Sequence, residues 1–401
     1  MSRLTSLALS LSVLALLAGC ARKQMPPPKD YWAPLEPGAP ALRLVTDPAR
    51  LPDFRPAFDS DRASLLKALD LSIRYLTYPS SGRYFPVQAI THDRAQRSLT
   101  AFREMLTKAR TADELHQGIL ARFDVYESVG CDNEGTVLFT GYYTPIFEAS
   151  ATPVGPYQWP LYKLPADLVK APDGQCQGRR LPDGGIVPYY TRKEIDGGAL
   201  KGQELVYLKD RFAAYICTVQ GSAKLKLPDG TWFNVGYAGN NGMEYTSVGQ
   251  LLVNDALIPR DKLSLSTLMA YFRSNPDKME QYLPRNERYV FFQKTDLEPT
   301  GSLNLAVTPY RSLATDKALF PRACLCFVKT KVPDVSASGG PVHKDFSQFM
   351  LDQDTGGAIR AAGRADIYIG VGDRAGRVAG WTFSEGRLYY LFLKEQTPPT
   401  M

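Results

Sequence analysis

The chain has 401 residues, of which 44% are hydrophobic and 22% are charged, and its formal net charge is +6. This composition is typical of a globular protein of about two domains. The positive charge favours an anionic polymer or a membrane face as a partner. Because no Arg- and Lys-rich stripe is interleaved with aromatic residues, nucleic acid is not expected to be that partner.

The N-terminus has the layout of a bacterial secretory signal. An apolar stretch, residues 4–17, is too short to predict a membrane span, and small residues directly precede Cys20. Residues 1–20 are therefore predicted to be a lipoprotein signal with Cys20 as the lipidated N-terminus; the alternative is an ordinary signal with an incidental cysteine. Ala21 after the cysteine resembles Gram-negative lipoproteins of the outer membrane. Six prolines between positions 26 and 40 predict a stiff tether over residues 21–45.

The segment after the tether predicts three helices and then a strand. Apolar residues recur at helical spacing over residues 65–76 and 95–106. Thr111 and Glu114 form the pattern of a capping box, which predicts the start of a third helix. The apolar faces of these helices are interpreted as packing surface. Beyond the third helix the period changes to two, so residues 136–144 are predicted to be a strand.

The middle of the chain predicts a second domain. Residues 148–285 contain many Gly and Pro turns between short strands, and residues 205–219 and 225–227 fit an all-β insert. A closing helix over residues 265–272 is expected to end before Pro276. Strands resume at residues 288–292, so the sequence predicts a mainly β chain of two domains with helices near its N-terminus.

Two aspartates near the C-terminus form the most informative pattern. Asp354 precedes Gly356-Gly357, and Asp366 follows twelve positions after Asp354, at the head of the strand-like run 367–369. The glycine pair permits positive φ and a close approach of the backbone to another chain or a ligand. A carboxylate between apolar neighbours loses hydration, which favours its neutral form, so Asp366 is a candidate general acid near neutral pH.

Five motifs occur in a characteristic order along the chain. They are Thr140-Gly141-Tyr142-Tyr143-Thr144-Pro145, Tyr189-Tyr190-Thr191-Arg192, Gln220-Gly221-Ser222-Ala223, Val235-Gly236-Tyr237-Ala238-Gly239-Asn240-Asn241-Gly242, and Asp354-Thr355-Gly356-Gly357-Ala358-Ile359 followed by Asp366-Ile367-Tyr368. Together they resemble the membrane-bound lytic murein transglycosylase A family, and the resemblance covers most of the chain after the leader. Residues 361–363 make the last motif one residue longer than in some members.

The resemblance implies a fold. Residues 46–147 and 286–396 would form a double-psi β-barrel, with the C-terminal part constituting a 3D domain that contains the catalytic aspartate. Residues 148–285 would be inserted as a smaller β domain, and the substrate groove would lie between the two.

The resemblance also implies a chemistry. The family contains lyases that cleave the β-1,4 bond between N-acetylmuramic acid and N-acetylglucosamine without water and leave 1,6-anhydromuramic acid ends. By resemblance Asp366 is the acid and then the base, and Asp354 and Asp316 assist by orientation and charge. For both assisting residues the alternative is a structural carboxylate bonded to turn amides.

The same resemblance implies a set of substrate-binding residues and partners. Tyrosines suit a sugar ring because they offer a flat face and a hydroxyl, although paired tyrosines at a strand end are otherwise interpreted as core. The implied partners are peptidoglycan strands, the outer membrane through Cys20, and complexes of cell-wall synthesis or degradation. The implied substrate-binding residues are Tyr142, Tyr143, Thr144, Ser222, Gly239, Asn241, Tyr245, Gly356 and Gly357.

Three other functions compete with this interpretation. Asp-Thr-Gly at residues 354–356 is also the active-site turn of aspartic proteases, but that chemistry needs two copies and the chain has one. A glycoside hydrolase would use two carboxylates, for which Asp354, Asp366 and Asp316 are the candidates. A non-catalytic peptidoglycan-binding lipoprotein would use the same groove but would not need an acid at position 366.

Other site chemistries have little support in the residue inventory. His92 and His116 are placed on the polar sides of helices, and no histidine pair has metal-ligand spacing, so neither a metal nor a cofactor is predicted. Residues 370–376 are glycine-rich but lack dinucleotide-binding spacing. Without Cys20 the cysteine count is odd, which requires a free thiol or an intermolecular bond. Cys324 and Cys326 are interpreted as buried small hydrophobes on a strand, and the pairing of Cys131, Cys176, Cys217, Cys324 and Cys326 is left open.

Overall fold

A computed structural model describes residues 29–171, 174–259, 263, 265–296, 298–335 and 341–395. The predicted signal and Cys20 lie outside these residues. In the part that is described, no helix has the length and apolar character needed to cross a membrane. In chain order the strands and helices are β1 (Leu42–Leu44), α1 (Arg62–Thr77), α2 (His92–Lys108), α3 (Ala112–Arg122), β2 (Phe123–Ser128), β3 (Val137–Thr144), β4 (Ile146–Ser150), β5 (Trp159–Tyr162), β6 (Leu168–Lys170), β7 (Cys176–Arg180), β8 (Ile186–Val187), α4 (Arg192–Glu194), β9 (Glu204–Leu208), α5 (Arg211–Gln220), β10 (Ala223–Lys226), β11 (Trp232–Asn240), α6 (Val248–Asn254), α7 (Leu265–Ser274), α8 (Pro276–Tyr282), β12 (Val290–Lys294), β13 (Ser312–Ala314), β14 (Leu325–Asp334), β15 (Val342–Asp354), β16 (Arg364–Val371), α9 (Gly372–Trp381) and β17 (Phe383–Leu393).

The three N-terminal helices begin where the sequence provides capping side chains. Asp61, Thr91 and Thr111 accept hydrogen bonds from backbone amides in the first turns of α1, α2 and α3. At α3 the Glu114 carboxylate accepts from the amide of Arg110 instead of completing the predicted capping box. The apolar faces of α1 and α2 pack on the barrel, as the spacing predicted.

The barrel closes through strands that come from both ends of the chain. Its order is β3, β17, β14, β15, β13 and β16, with β16 pairing back to β3. The pairings β13–β15 and β16–β3 are parallel, and the others around the ring are antiparallel. β2 and β1 extend the sheet beyond β17. The closed barrel confirms the predicted fold class.

Aromatic rings fill the space between the barrel and the helices. Phe327 and Phe349 are fully buried and lie 5.1 Å apart between ring centroids. Phe54 and Phe102 approach this pair to 4.9 Å from the side of the N-terminal segment and α2. These contacts attach the N-terminal segment and α2 to the barrel at β14 and β15.

The insert is a domain with its own sheet. Strands β12, β11, β10, β4, β9 and β5 form that sheet, and β6, β7 and β8 form a small second one. The predicted closing helix is present as α7. Residues 290–294, which were expected to begin the last barrel strands, pair with β11 in the insert sheet. An apolar run predicts a strand but does not specify which sheet the strand joins.

Two other local predictions were wrong, and one helix was not predicted. Residues 205–219 contain β9 and then helix α5, which is capped by Asp210 and ended by Gly221 with φ 77°. A further helix, α9, follows β16 in the glycine-rich stretch where none was predicted. His116 is not on a polar face: it is 8% exposed and its ring approaches the amide of Phe54.

The five cysteines of the described chain are all free. Cys324 and Cys326 are fully buried beside strand β14, which agrees with their interpretation as small core residues.

Candidate active site

Asp366 is the third residue of β16 and lies in a row of residues that crosses the barrel sheet. It pairs with Ala314 of β13 on one side and with Thr140 of β3 on the other. Ala314 pairs in turn with Asp354 of β15. Since neighbouring strands are about 4.8 Å apart, the Cα atoms of Asp366 and Asp354 are separated by about 10 Å. The fold thus brings two of the predicted aspartates together.

The environment of Asp366 favours a carboxyl that is protonated near neutral pH. Burial raises its pKa to about 7, because removal from water disfavours the charged form. The positive charge of Arg364 and hydrogen bonding from Thr140 lower this pKa, while the charge of Asp354 raises it. The Oδ1 atom of Asp366 is buried and has no hydrogen-bond partner among the described residues. Such a carboxyl is suited to give and accept a proton.

Asp354 ends β15 and is held by three hydrogen bonds. Its Oδ2 accepts from the hydroxyl of Tyr142 at 2.8 Å, and its Oδ1 accepts from the amides of Ser302 at 2.7 Å and Thr355 at 2.8 Å. Burial raises the pKa of Asp354, and these hydrogen bonds oppose the rise. Gly301 is required beside it, since a β-carbon there would lie 2.8 Å from the carboxyl carbon.

Asp316 has the surroundings of a structural carboxylate. Its Oδ1 accepts from the amide of Ala318 and its Oδ2 from the amide of Ala361, each at 3.0 Å. Arg360 approaches Oδ1 to 3.9 Å. Ala361 has a φ of 69°, an unusual conformation for a residue with a side chain, and the bond from Asp316 helps to hold it. Asp316 therefore fixes the loop that joins β15 to β16.

The two predicted groove tyrosines of β3 differ in their surroundings. Tyr142 is half-buried, and its ring lies 5.1 Å from that of Tyr368. Tyr143 is 7% exposed and belongs to the core. A β-carbon at Gly376 of α9 would lie only 2.9 Å from the Tyr143 ring, so this ring packs tightly against α9. The burial of Tyr143 favours its interpretation as a core residue. Tyr142 is therefore the tyrosine of this pair that lies beside the aspartates.

Thr144 and Ser222 belong to a buried hydroxyl network. The Thr144 hydroxyl lies 3.0 Å from the Tyr368 hydroxyl and 3.3 Å from the Ser222 hydroxyl. Thr144 is 1% exposed and Ser222 7% exposed. The network joins β16 of the barrel to the start of β10 in the insert domain.

Gly239 and Asn241 lie in the insert domain and have structural contacts. The Asn241 side chain donates to the carbonyls of Tyr190 and Glu287 and accepts from the amide of Tyr289. It is 1% exposed. A β-carbon at Gly239 would lie 2.7 Å from Leu164, so glycine is needed there for packing. The structure does not bring these two residues to the row that contains Asp366.

Tyr245, Gly356 and Gly357 meet where the insert domain approaches the barrel. A β-carbon at Gly357 would lie 2.8 Å from Nε of Arg288 and 3.3 Å from Cβ of Tyr245. Burial raises the pKa of Tyr245, and the charge of Asp366 adds to that rise. The close approach that the glycine pair permits is therefore present, but neither Gly356 nor Gly357 has positive φ.

Two arginines near the aspartates, Arg364 and Arg288, were assigned no role from the sequence. Arg364 is 5% exposed and donates a hydrogen bond of 3.0 Å to the hydroxyl of Thr140. Its position two residues before Asp366 on a strand was a usable signal, because residues i and i+2 share a face. Arg288 donates to the carbonyl of Met243 at 2.9 Å, and no local pattern predicted its place at the glycine loop.

The described residues contain no cluster of three or more His, Cys, Asp or Glu side chains placed to hold a metal ion. The site consists of carboxyl, hydroxyl and guanidinium groups.

Known proteins share both halves of this architecture. Residues 138–293 match the family described as the MltA specific insert domain, and residues 311–392 match the 3D domain. The membrane-bound lytic murein transglycosylase A of Vibrio cholerae is 32% identical over 282 residues, which cover 69% of this chain and 71% of that protein.

Two solved structures share the fold. The membrane-bound lytic murein transglycosylase from Agrobacterium tumefaciens has a TM-score of 0.72 and 24% identity, covering 88% of this chain and 98% of its own. The structure of E. coli MltA with bound chitohexaose has a TM-score of 0.67 and 24% identity, covering 88% of this chain and 95% of its own.

The closed barrel, the inserted β domain and the row of carboxyl groups thus define a protein of the murein transglycosylase fold class. Within that class, the sequence similarity to the curated relatives is sufficient for an assignment. The chain belongs to the membrane-bound lytic murein transglycosylase A family.

Proposed function

We propose that the protein is a lytic murein transglycosylase that cleaves the β-1,4 bond between N-acetylmuramic acid and N-acetylglucosamine in peptidoglycan. The observation that carries the proposal is Asp366, a partly exposed carboxyl whose pKa burial raises to about 7 and whose buried Oδ1 atom has no hydrogen-bond partner among the described residues. Support also comes from relatives named membrane-bound lytic murein transglycosylase A and from the E. coli structure with bound chitohexaose.

The proposed reaction needs one carboxyl group. The neutral Asp366 carboxyl gives its proton to the glycosidic oxygen as the bond from that oxygen to the muramic acid C1 breaks. The carboxylate that remains accepts the proton of the muramic acid 6-hydroxyl, whose oxygen bonds to C1. The product is a 1,6-anhydromuramic acid end and Asp366 regains its proton, so the step consumes no water, and the proposal invokes no cofactor.

Asp354 is proposed to assist this carboxyl by its charge. Burial is the main cause of the raised pKa of Asp366, and the charge of the neighbouring carboxylate adds to that rise, which favours the protonated acid near neutral pH. When positive charge develops at C1, the same carboxylate would stabilise it. For Asp316 the two amide hydrogen bonds favour the structural role over the mechanistic one.

The glycan is proposed to lie between the barrel and the insert domain. Tyr142, Tyr245 and Gly357 support this position, because they surround the aspartates from both domains. The polar contacts of the other predicted residues lie within the protein, so their contribution would be to shape the groove. These residues are Tyr143, Thr144, Ser222, Gly239, Asn241 and Gly356.

Two rival functions make different predictions about the products. A hydrolase that uses Asp366 and Asp354 as an acid and base pair would add water and leave a reducing end. A peptidoglycan-binding lipoprotein would leave the glycan intact. Digestion of purified sacculi in heavy-oxygen water followed by mass analysis separates these outcomes. The proposal expects unlabelled muropeptides with 1,6-anhydro ends; labelled reducing ends or uncut glycan would contradict it.

We further propose that the protein is a lipoprotein on the periplasmic face of the outer membrane, anchored through Cys20. Support comes from the sequence pattern of the leader and from relatives named membrane-bound. Proteins of cell-wall synthesis or degradation are the expected class of protein partner at that location.

A further inference from the structure

The residues at the start of the described chain lie across the barrel sheet next to Asp366. We name residues 29–33 the N-terminal strap. Lys29 lies 3.0 Å from the Glu385 carboxylate, and the hydroxyl of Tyr31 donates to the same carboxylate at 2.7 Å. A β-carbon at Gly363 would lie 2.9 Å from the carbonyl oxygen of Tyr31, so the strap passes directly over this glycine.

The strap crosses the row of residues next to the one that contains Asp366. Leu138 of β3 pairs with Arg364 on one side and with Glu385 of β17 on the other. Residues two positions apart on a strand share a face, so this row is about 7 Å from the Asp366 row. Leu138 is 1% exposed although it lies on the groove side of β3, away from the main core.

Trp32 makes the two contacts of the strap that are nearest to the aspartates. Its indole N–H donates a hydrogen bond of 3.1 Å to the carbonyl of Ala358, in the loop that joins Asp354 to Asp366. The guanidinium carbon of Arg364 lies 4.7 Å from the centroid of the indole ring, which is a cation–π contact. One side chain thus contacts both the loop between the aspartates and the strand that contains Asp366.

Arg364 connects this contact to the carboxyl. It is 5% exposed, and a buried guanidinium needs compensation by nearby negative charge or π electrons. Its Nη2 donates to the Thr140 hydroxyl, which interacts with Asp366, and its charge acts on Asp366 directly. The Trp32 ring covers the guanidinium and so keeps this interaction out of water, where it would be screened.

We propose that Trp32 and Arg364 are positioning residues for Asp366, and that the N-terminal strap forms one side of the catalytic groove. This inference rests on the proposed role of Asp366. Trp32 lies outside both segments that match known domains, residues 138–293 and 311–392. The proposed role of Trp32 therefore rests on its contacts with Ala358 and Arg364 in this chain.

The first test compares two exposed tryptophans that each contact a cation. Trp32 is 49% exposed and Trp232 is 51% exposed, with Lys224 lying 5.9 Å from the Trp232 ring. Trp32→Ala should lower kcat on purified glycan strands by about ten- to a hundredfold with KM within about twofold, because small displacements of a reacting group are costly. Trp232→Ala should match wild type. Equal kcat values for the two variants, or a loss confined to KM, would overturn the positioning role of Trp32.

A conservative variant guards against loss of folding in Trp32→Ala. Trp32→Phe keeps an aromatic face for Arg364 but loses the hydrogen bond to Ala358. Its kcat should lie between those of wild type and Trp32→Ala, with the melting temperature close to that of wild type. A Trp32→Phe variant as inactive as Trp32→Ala would show that the ring contact with Arg364 has no part in the effect.

The second test measures the carboxyl directly and needs no turnover. The charged or titratable groups that act on Asp366 are Arg364 on its own strand, Asp354 on β15, Tyr142 on β3 and Tyr245 of the insert domain. Arg364→Met removes the cation that favours the ionised form, so the pKa of Asp366 should rise. Arg364→Lys keeps the charge and should return the pKa towards wild type.

Carbon-13 NMR of the full protein with labelled aspartate follows this titration, and the Asp366→Asn variant assigns the signal of Asp366. An unchanged titration in Arg364→Met would overturn the role of Arg364. If wild type fails to cleave glycan, the proposed function fails, while the titration still decides whether Arg364 acts on Asp366. The two failures are therefore distinguishable.

Discussion

The hydroxyl of Tyr142 donates a 2.8 Å hydrogen bond to Oδ2 of Asp354. The ring of Tyr142 packs against Tyr368, with 5.1 Å between the centroids. The polar end of this tyrosine is therefore used within the protein, and only part of its ring remains for a sugar. Tyr142 therefore makes two separate contributions in the proposed site. Its hydroxyl orients the Asp354 carboxylate, and its ring is the part that would contact the glycan.

Replacement of Tyr142 tests that separation. Tyr142→Phe keeps the ring and removes the donor that stabilises the ionised Asp354, so kcat should fall about tenfold with little change in glycan affinity. Tyr142→Ala should also weaken glycan binding, because the flat face is lost. Binding is measured by calorimetry with uncleaved glycan fragments on an Asp366→Asn background. Equal loss of affinity in both variants would mean that the hydroxyl contacts the glycan directly.

Asp366→Asn should nearly abolish turnover. Asparagine preserves the size of the side chain but does not transfer a proton at these pH values. General acid–base catalysis contributes about 10²- to 10⁴-fold, and here one group supplies both halves of it. Cleavage is measured by chromatography of muropeptides, and binding by co-sedimentation with sacculi. Binding should be retained, and full activity of this variant would remove the proposed mechanism.

The pH dependence of activity follows from the protonation state of Asp366. Its pKa is raised by burial to about 7, and the proposed reaction begins with the neutral carboxyl. The active fraction is therefore high below this pH and falls as the pH rises through about 7. The rate constant at saturating glycan should show this decline between about pH 6 and 8. A rate that increases over the same range would indicate that the ionised carboxylate starts the reaction.

The sequence predicted the elements that form the barrel site better than it predicted the residues that surround the aspartates. The strand β3 and the helices α1 to α3 were predicted because each depends on local spacing, whereas the roles of Asp354 and Asp366 came from the family resemblance and stay predictions. Arg364 had a local signal in the period of the strand but was not assigned a role. Trp32 had none, since its partner Ala358 is 326 positions away along the chain.

The insert domain was predicted less well because glycine-rich loops have several meanings. Gly221 belongs to one of the motifs that carry the family resemblance, but it ends helix α5 in a left-handed conformation. Asn241 resembled a ligand-binding amide, yet its hydrogen bonds go to the backbone at Glu287 and Tyr289 and to Tyr190. A short polar side chain beside glycines serves turns and ligands equally well, and only tertiary contacts distinguish the two.

The lipid anchor is tested by fractionation of cells. Cys20→Ser removes the proposed acylation site, and stable anchoring requires more than one acyl chain at that residue. The variant should move from the membrane fraction to the soluble periplasmic fraction while retaining activity on sacculi. Trp232→Ala, which leaves the leader intact, serves as the control. Unchanged fractionation of the Cys20 variant would contradict anchoring at this cysteine.

The raised pKa of Asp366 also predicts a cost in stability that depends on pH. A carboxyl whose folded-state pKa exceeds its unfolded value binds more protons in the native state, so the free energy of unfolding falls as the pH rises from about 4 to about 7. Asp366→Asn has no such titration. Its melting temperature relative to wild type should therefore increase by several degrees between pH 4 and pH 8. Asp316→Asn is the matched control: it replaces one of the two oxygens that accept from the amides of Ala318 and Ala361, so it loses one of these hydrogen bonds and should be less stable than wild type across the range. Calorimetry at both pH values measures the two differences. A constant difference between Asp366→Asn and wild type would mean that burial does not shift the ionisation of Asp366, and the acid role proposed for it would lose its physical basis.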